Sequence, residues 1–244
     1  MDKVNILGTE IDKVNVEQAS DTIIKFIQDG EKCKYVFTPN SEILMNAYRN
    51  KEFCNVLNSA SILTADGIGV VYASRILKNP ISERCAGYDT AVKLIEKMAK
   101  YGYSLYLFGA KPGVAEKAAE NIQKNNPGIK IAGTADGYFD AEKEKKIIDD
   151  INQKKPDVLF VCLGAPKQEM WIYQNRDKLD VHCCLGIGGS LDVFAGTAQR
   201  APDFYCRHGI EWLYRLAKQP SRFGRMMDLP KFGLTVLFKG KRFK

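Results

Sequence analysis

Short apolar, β-branched runs alternate with helical stretches through most of this 244-residue chain, and that alternation limits its fold more than any other feature. Period and punctuation place strands at 4–7, 35–38, 61–64, 104–108, 130–134, 158–163 and 182–187. Helices fall at 16–28, 41–58, 67–77, 90–101, 112–125, 141–154 and 167–175. Such an order is satisfied by a mostly parallel sheet with helices on both faces, an α/β fold of Rossmann-like type. The runs SLYLFG and VLFVCLG are almost wholly apolar, as central strands covered on both sides must be. Neither repeats nor low-complexity linkers interrupt the chain, and residues 1–199 read as one α/β core.

In a parallel sheet the carboxyl ends of the strands share one rim, where ligands bind. Six expected strand ends carry small or polar residues: Thr38-Pro39-Asn40, Ala65-Asp66-Gly67, Gly109-Ala110-Lys111, Asp136-Gly137-Tyr138, Gly164-Ala165-Pro166 and Gly188-Gly189-Ser190. Glycines there let backbone N–H groups approach a phosphate, and helix N-termini favour its charge. Six such ends on one rim point to a ligand cleft. Several chemistries are excluded by motif. The glycines at 109–113 and 186–191 lack the third glycine of a dinucleotide loop, no GK[ST] closes a phosphate loop, and no GxSxG marks a serine hydrolase. An Asp-x-Asp pair, a common metal holder in sugar transfer, is missing. Two histidines and no CxxC make a zinc site unexpected.

Composition adds a compartment and a partner. Seven irregularly spaced cysteines, with Cys183 and Cys184 adjacent, do not form a secreted disulfide pattern. The first residues hold no signal-peptide core, and no apolar run nears the roughly 20 residues of a membrane helix. A reduced, cytoplasmic setting is the expectation. The net charge is +7, yet from Arg200 onward eleven basic residues face three acidic ones, so this tail carries +8 and the rest of the chain is nearly neutral. An anionic partner for residues 200–244 follows from that asymmetry. Nucleic acid would account for the charge and leave the polar rim unexplained, so none is expected.

Each polar rim residue has a structural and a functional reading. Asn40 or Ser41 caps the next helix, or Thr38 and Asn40 meet a ligand. Asp66 takes a proton or caps the helix after Gly67. Arg84 clamps a phosphate or pairs with Glu83 or Asp89. Gln168 hydrogen-bonds a sugar, while Glu169 serves the helix dipole. Tyr138 stacks a base or is an ordinary surface tyrosine, and Asp192 holds a nucleoside or caps the segment that follows.

Eight blocks occur in order: YVFTPNSEIL, TADGIGVV, ERCAGYD, LFGAKPGVAEKAA, DGYF, KPDVLFVCLGAPKQEMWI, GIGGSLDVFAGTAQRAP and IEWLYRLAKQPSRFGRM. Together they resemble the WecG/TagA/CpsF family of bacterial glycosyltransferases, from about Lys34 to Phe232. Ala135 and Gln219 depart from the family's usual histidine and glutamate. The resemblance implies inverting transfer of a sugar from a UDP-sugar to undecaprenyl-diphosphate-linked N-acetylglucosamine. In the branch this chain resembles most, the sugar is N-acetylmannosamine and the product is the linkage unit of wall teichoic acid; in another it is the corresponding uronic acid, whose carboxylate Lys111 or Lys167 can meet. Carried onto these positions, Asp66 is the expected base, with Asp136 its rival. Thr38, Asn40 and Gln168 hold the donor sugar and orient the reacting hydroxyl, and Arg84 faces the diphosphate. Gly109, Ala110, Asp136, Gly137, Tyr138, Gly189 and Asp192 surround UDP. No metal or other cofactor is expected.

In GIEWLYRLAKQPSRFGRMM, apolar residues at helical spacing lie beside Trp212 and Tyr214, with Arg215, Arg222 and Arg225 among them and Pro220 expected to interrupt the helix. This reads either as a terminal helix docked on its own core with a solvated basic face or, more sharply, as an interfacial segment on the inner face of the membrane, a peripheral location, with the three arginines closing on the diphosphate. Without a membrane its apolar side calls for self-association.

Overall fold

The computed structural model describes residues 1–202, 204–205, 210–218, 224 and 227–243. The elements run β1 (Lys3–Ile6), β2 (Thr9–Asp12), α1 (Val16–Gln28), β3 (Lys34–Phe37), α2 (Ser41–Arg49), α3 (Lys51–Asn58), β4 (Ile62–Leu63), α4 (Ile68–Ile76), α5 (Gly87–Tyr101), β5 (Ser104–Gly109), α6 (Val114–Asn125) and β6 (Lys130–Ala135). They continue with α7 (Ala141–Lys154), β7 (Val158–Cys162), α8 (Lys167–Asn175), β8 (Cys183–Gly186), α9 (Ser190–Phe194), α10 (Glu211–Lys218), α11 (Asp228–Lys239) and a 3₁₀ turn at Gly240–Phe243. Six strands form a parallel sheet in the order β4-β3-β8-β7-β5-β6, so the six expected strand ends share one rim. One face packs on α1, α5, α6 and α9 through residues such as Ile23, Leu94 and Ala118; the other packs on α2, α3, α4, α7, α8 and α11 through Leu44, Leu57, Trp171 and Phe232.

Three features differ from the sequence expectation. Residues 41–58 form two helices, because Asn50 leaves the helical region and caps α3 by accepting from the Phe53 N–H at 3.1 Å. The strand β2 pairs antiparallel with β1 through Leu7 and Gly8, both at positive φ, the hallmark of a tight hairpin turn. Its Asp12 is buried and accepts the Leu63 N–H at 2.8 Å, with Lys3 at 3.6 Å, so a strand that reads as polar covers the short edge strand β4. Finally, α5 begins at Gly87 rather than at 90. A Cβ on Gly87 would lie 2.7 Å from the Thr38 hydroxyl, so only glycine lets this helix start against the end of β3.

The last helix, α11, returns to the core. Phe232 and Val236 are buried against α2 and α4, and Arg49 grips Asp228 at 2.7 Å. Gly8 of the hairpin lies against the Phe243 ring. The outward face of α11 carries Leu234, Leu237 and Phe238, the last 79% exposed, beside exposed Lys231, Lys239, Lys241 and Arg242. Among the described residues no helix is long and apolar enough to cross a membrane.

Candidate active site

The crossovers from β5 to β6 and from β7 to β8 leave the sheet in opposite directions, although β5 and β7 are neighbours. A crevice opens at such a switch point. Here it is a cavity of about 520 Å³ lined by Ala110, Gly137, Tyr138, Leu163, Lys167 and Asp192, among others. Just before Ala110, Gly109 ends β5 at φ +134°, and with a would-be Cβ only 2.4 Å from the Cys162 carbonyl oxygen it accepts no other residue. Ala110 N–H donates to the Cys162 carbonyl at 3.1 Å, and Gly137 N–H to the Ala110 carbonyl at 2.9 Å, which locks the two loops together. Tyr138 is 62% exposed, one face of the opening. Lys167 donates to the Gly137 carbonyl at 3.2 Å and covers the Phe139 ring at 4.2 Å. Gly189 adjoins Asp192, whose carboxylate receives the Thr197 hydroxyl at 3.5 Å. Four of the expected nucleotide residues, Ala110, Gly137, Tyr138 and Asp192, therefore line one cavity; Gly109 precedes Ala110, and Gly189 lies near Asp192.

Asp136 lies at the same end of the rim but is turned aside. Its carboxylate takes Lys143 at 2.8 and 3.0 Å and the Tyr138 N–H at 2.9 Å. The Lys143 bond holds its pKa below the usual carboxylate range.

At the β3–β4 end the polar groups are tied to the protein itself. Asn40 caps α2, accepting the Ile43 N–H at 3.0 Å. Thr38 is buried and donates to the Gly186 carbonyl at 3.2 Å. Asp66 does not cap α4; its carboxylate instead accepts from Gly87 N–H at 3.2 Å, at the N-terminus of α5. Arg84 lies close enough to Asp66 to feel its charge. Burial works against the guanidinium, but Asp66, Glu211 and Asp89 together raise its pKa. Of the two pairings the sequence allowed, Asp89 is observed at 3.1 Å, and the second acid is Glu211 of α10 at 2.8 Å rather than Glu83. Arg200 holds the other oxygen of Asp89 and covers the Tyr88 ring at 4.9 Å. Nothing local in the sequence announces the Arg84–Glu211 pair, which spans 127 positions. Arg215 lies on α10, whereas Pro220, Arg222 and Arg225 fall outside the described residues.

Between the two ends sits α8. Gln168 is 2% exposed; its Oε1 accepts the Gly188 N–H at 2.9 Å and its Nε2 donates to Glu169 Oε1 at 2.9 Å. Glu169 is 1% exposed, its Oε2 has no hydrogen-bond partner among the described residues, and burial pushes its pKa up to about 7. A glutamate in the first turn of a helix reads from sequence as a dipole partner, and its full burial is invisible there. A second cavity, beside Cys33 and Arg176, holds none of the candidate residues. Among the described residues no cluster of His, Cys, Asp or Glu could hold a metal ion.

An open parallel sheet with a cavity at its switch point, and a carboxylate, an arginine and amides farther along the same rim, is a ligand-binding α/β fold of Rossmann-like type. The chain matches the profile of the "Glycosyl transferase WecG/TagA/CpsF family" over residues 4–244 and belongs to that family. It is 38% identical over 209 residues to a Bacillus spizizenii protein named N-acetylglucosaminyldiphosphoundecaprenol N-acetyl-beta-D-mannosaminyltransferase, covering 86% of this chain and 80% of that one. Proteins of the same name from Bacillus subtilis (36% over 230 residues; 94% and 89% covered) and Staphylococcus aureus strain MW2 (35% over 241 residues; 98% and 94% covered) are similar along nearly their whole length.

Proposed function

We propose that the protein transfers N-acetylmannosamine from its UDP conjugate to undecaprenyl-diphosphate-linked N-acetylglucosamine, the step that builds the linkage unit of wall teichoic acid. The carrying observation is the layout of one rim: an open cavity at the ends of β5–β7 and, a few strand spacings of about 4.8 Å away, a polar group around Asp66. A nucleoside diphosphate sugar has its parts in that sequence. Uridine fits the cavity beside Tyr138 and Asp192. The diphosphate follows over the Gly109–Ala110 and Gly188–Gly189 backbones, and the sugar reaches Thr38, Asn40 and Gln168.

For inversion, the acceptor hydroxyl oxygen bonds to the anomeric carbon as the bond to the diphosphate oxygen breaks on the opposite side. Asp66 takes the hydroxyl proton, and UDP leaves with the electron pair. Asp66 is preferred to Asp136 because it stands at a helix N-terminus beside Arg84, whereas Lys143 already neutralises Asp136 at the far edge of the sheet. Backbone N–H groups and cations stabilise the departing charge. Arg84 joins them by exchanging the Glu211 carboxylate for a phosphate, two groups that guanidinium holds in the same forked manner. Arg215, Arg222 and Arg225 belong to the same reading, as does a site that works without metal. The basic, apolar outer face of α11 suits a peripheral position on the anionic inner leaflet, where the lipid-linked acceptor presents its diphosphate. Self-association through the apolar side of the segment that begins at Ile210 is the expectation in the absence of lipid.

The test is transfer itself. UDP-N-acetylmannosamine and a short-chain analogue of the lipid-linked acceptor are mixed with the protein, with and without EDTA, and UDP release and product mass are followed. Disaccharide product unaffected by EDTA supports the proposal. Product only with the uronic acid donor moves the protein to another branch of the family, and loss of activity with EDTA removes the metal-free mechanism.

A further inference from the structure

The buried carboxyl of Glu169 has no place in the steps above, and its surroundings give it one. It sits in the first turn of α8, where an apolar residue would fill the space without leaving an oxygen unpaired. A buried oxygen with no partner among the described residues is a cost that a merely structural position does not need. Its other oxygen accepts from the Gln168 amide at 2.9 Å.

That amide has two ends with opposite demands. Oε1 must face Gly188, whose N–H it accepts, and Nε2 must face an acceptor. Turned over, the amide would set N–H against N–H at Gly188 and oxygen against oxygen at Glu169. A carboxyl offers an acceptor whether or not it holds a proton, so Glu169 fixes the direction of the amide in either state. The consequences spread along the rim. Gln168 Nε2 lies over Gly186, where a Cβ would come within 3.2 Å, and the carbonyl of that same glycine receives the Thr38 hydroxyl. Gly188, at φ +54°, opens the turn into α9 and Asp192.

We infer that Glu169 is a positioning residue: it holds Gln168 in the orientation that pins the Gly188–Gly189 turn, and that turn presents its backbone to the donor diphosphate. The second half rests on the nucleotide-sugar reading of the rim; the first half does not.

The experiment uses the full-length protein with Glu169→Met, an apolar side chain of similar length, and Glu169→Gln, which keeps an acceptor. Amide hydrogen exchange is followed across residues 186–190, and UDP affinity is measured by calorimetry. In Glu169→Met, exchange at Gly188 is expected to speed up, and UDP binding to weaken about tenfold, the scale of one lost hydrogen bond network contact. The donor KM rises alike while the acceptor KM stays within about twofold, and Glu169→Gln recovers most of the loss. Unchanged exchange and unchanged UDP affinity in a folded Glu169→Met protein would overturn the inference. So would donor and acceptor KM rising together, or Glu169→Gln failing to recover. Should Glu169→Met not fold, Glu169→Asp, whose shorter side chain withdraws the acceptor, takes the same readings and the same criteria. If the wild type binds no UDP, the nucleotide reading falls, and the exchange data still decide whether Glu169 pins the turn.

Discussion

The two ends of the rim are built on different plans. At β3–β4, Thr38, Asn40, Asp66 and Arg84 are each engaged by another part of the protein; Thr38 is buried and the other three are half-buried. At β5–β6 the cavity is lined by Lys111, Phe139, Leu163 and Lys167 among others, and Tyr138 stands out into solvent. Groups that stabilise developing charge work best when fixed beforehand, since reorienting them during reaction costs free energy. A flat base needs only a slot and a face. The proposed function puts the chemistry at the first end and recognition at the second, so removing the carboxylate should matter far more at Asp66 than at Asp136.

The largest expected effect is at Asp66. Asp66→Asn should lower kcat by about 10³-fold, within the range typical of a general base, while calorimetric UDP affinity stays within about twofold. A parallel loss of UDP binding would erase the division between the ends. Next comes the buried carboxyl between them. Glu169 has a folded-state pKa of about 7 against 4.5 for an ordinary glutamate, so the folded protein binds this proton more tightly than the unfolded chain. Stability is therefore intact below about pH 4.5 and falls as pH rises through 7. Relative to wild type, Glu169→Gln should gain up to about 3 kcal/mol between pH 4.5 and 8 in urea denaturation. A pH-independent difference would show that the carboxyl is not buried as described.

At the recognition end, Tyr138→Ala should weaken UDP binding about tenfold, as loss of one base-stacking face does, and change kcat at saturating donor far less. The smallest effect belongs to Asp136→Asn. It breaks a partly exposed ion pair with Lys143, so thermal stability should drop by under about 1 kcal/mol and kcat should stay within about twofold. A fall in kcat comparable to that of Asp66→Asn would reverse the assignment of the ends.

Much of this layout was legible before any coordinates. The apolar runs of β5 and β7 announce central parallel strands, and the glycines after them announce a rim. Burial of a polar residue is what the sequence concealed. Asp12 makes β2 look like a loop, although it satisfies the edge of β4. Glu169 looks like a helix-dipole partner, although it is enclosed. Asn50 fits a helix by pattern and breaks it by capping. Long-range pairs are the other gap: Arg84 can be seen to need an acid, but Glu83 and Asp89 are the visible choices, and Glu211 becomes a neighbour only once α10 returns to the core.

The grip of Arg49 on Asp228 changes what kind of object the basic segment is. With Arg200 fastened to Asp89 and α11 seated on α2 and α4, the C-terminal region is anchored to the core at two places far apart in sequence. Two such anchors close one loop on the core, and each lowers the chain entropy that the other must spend to close it.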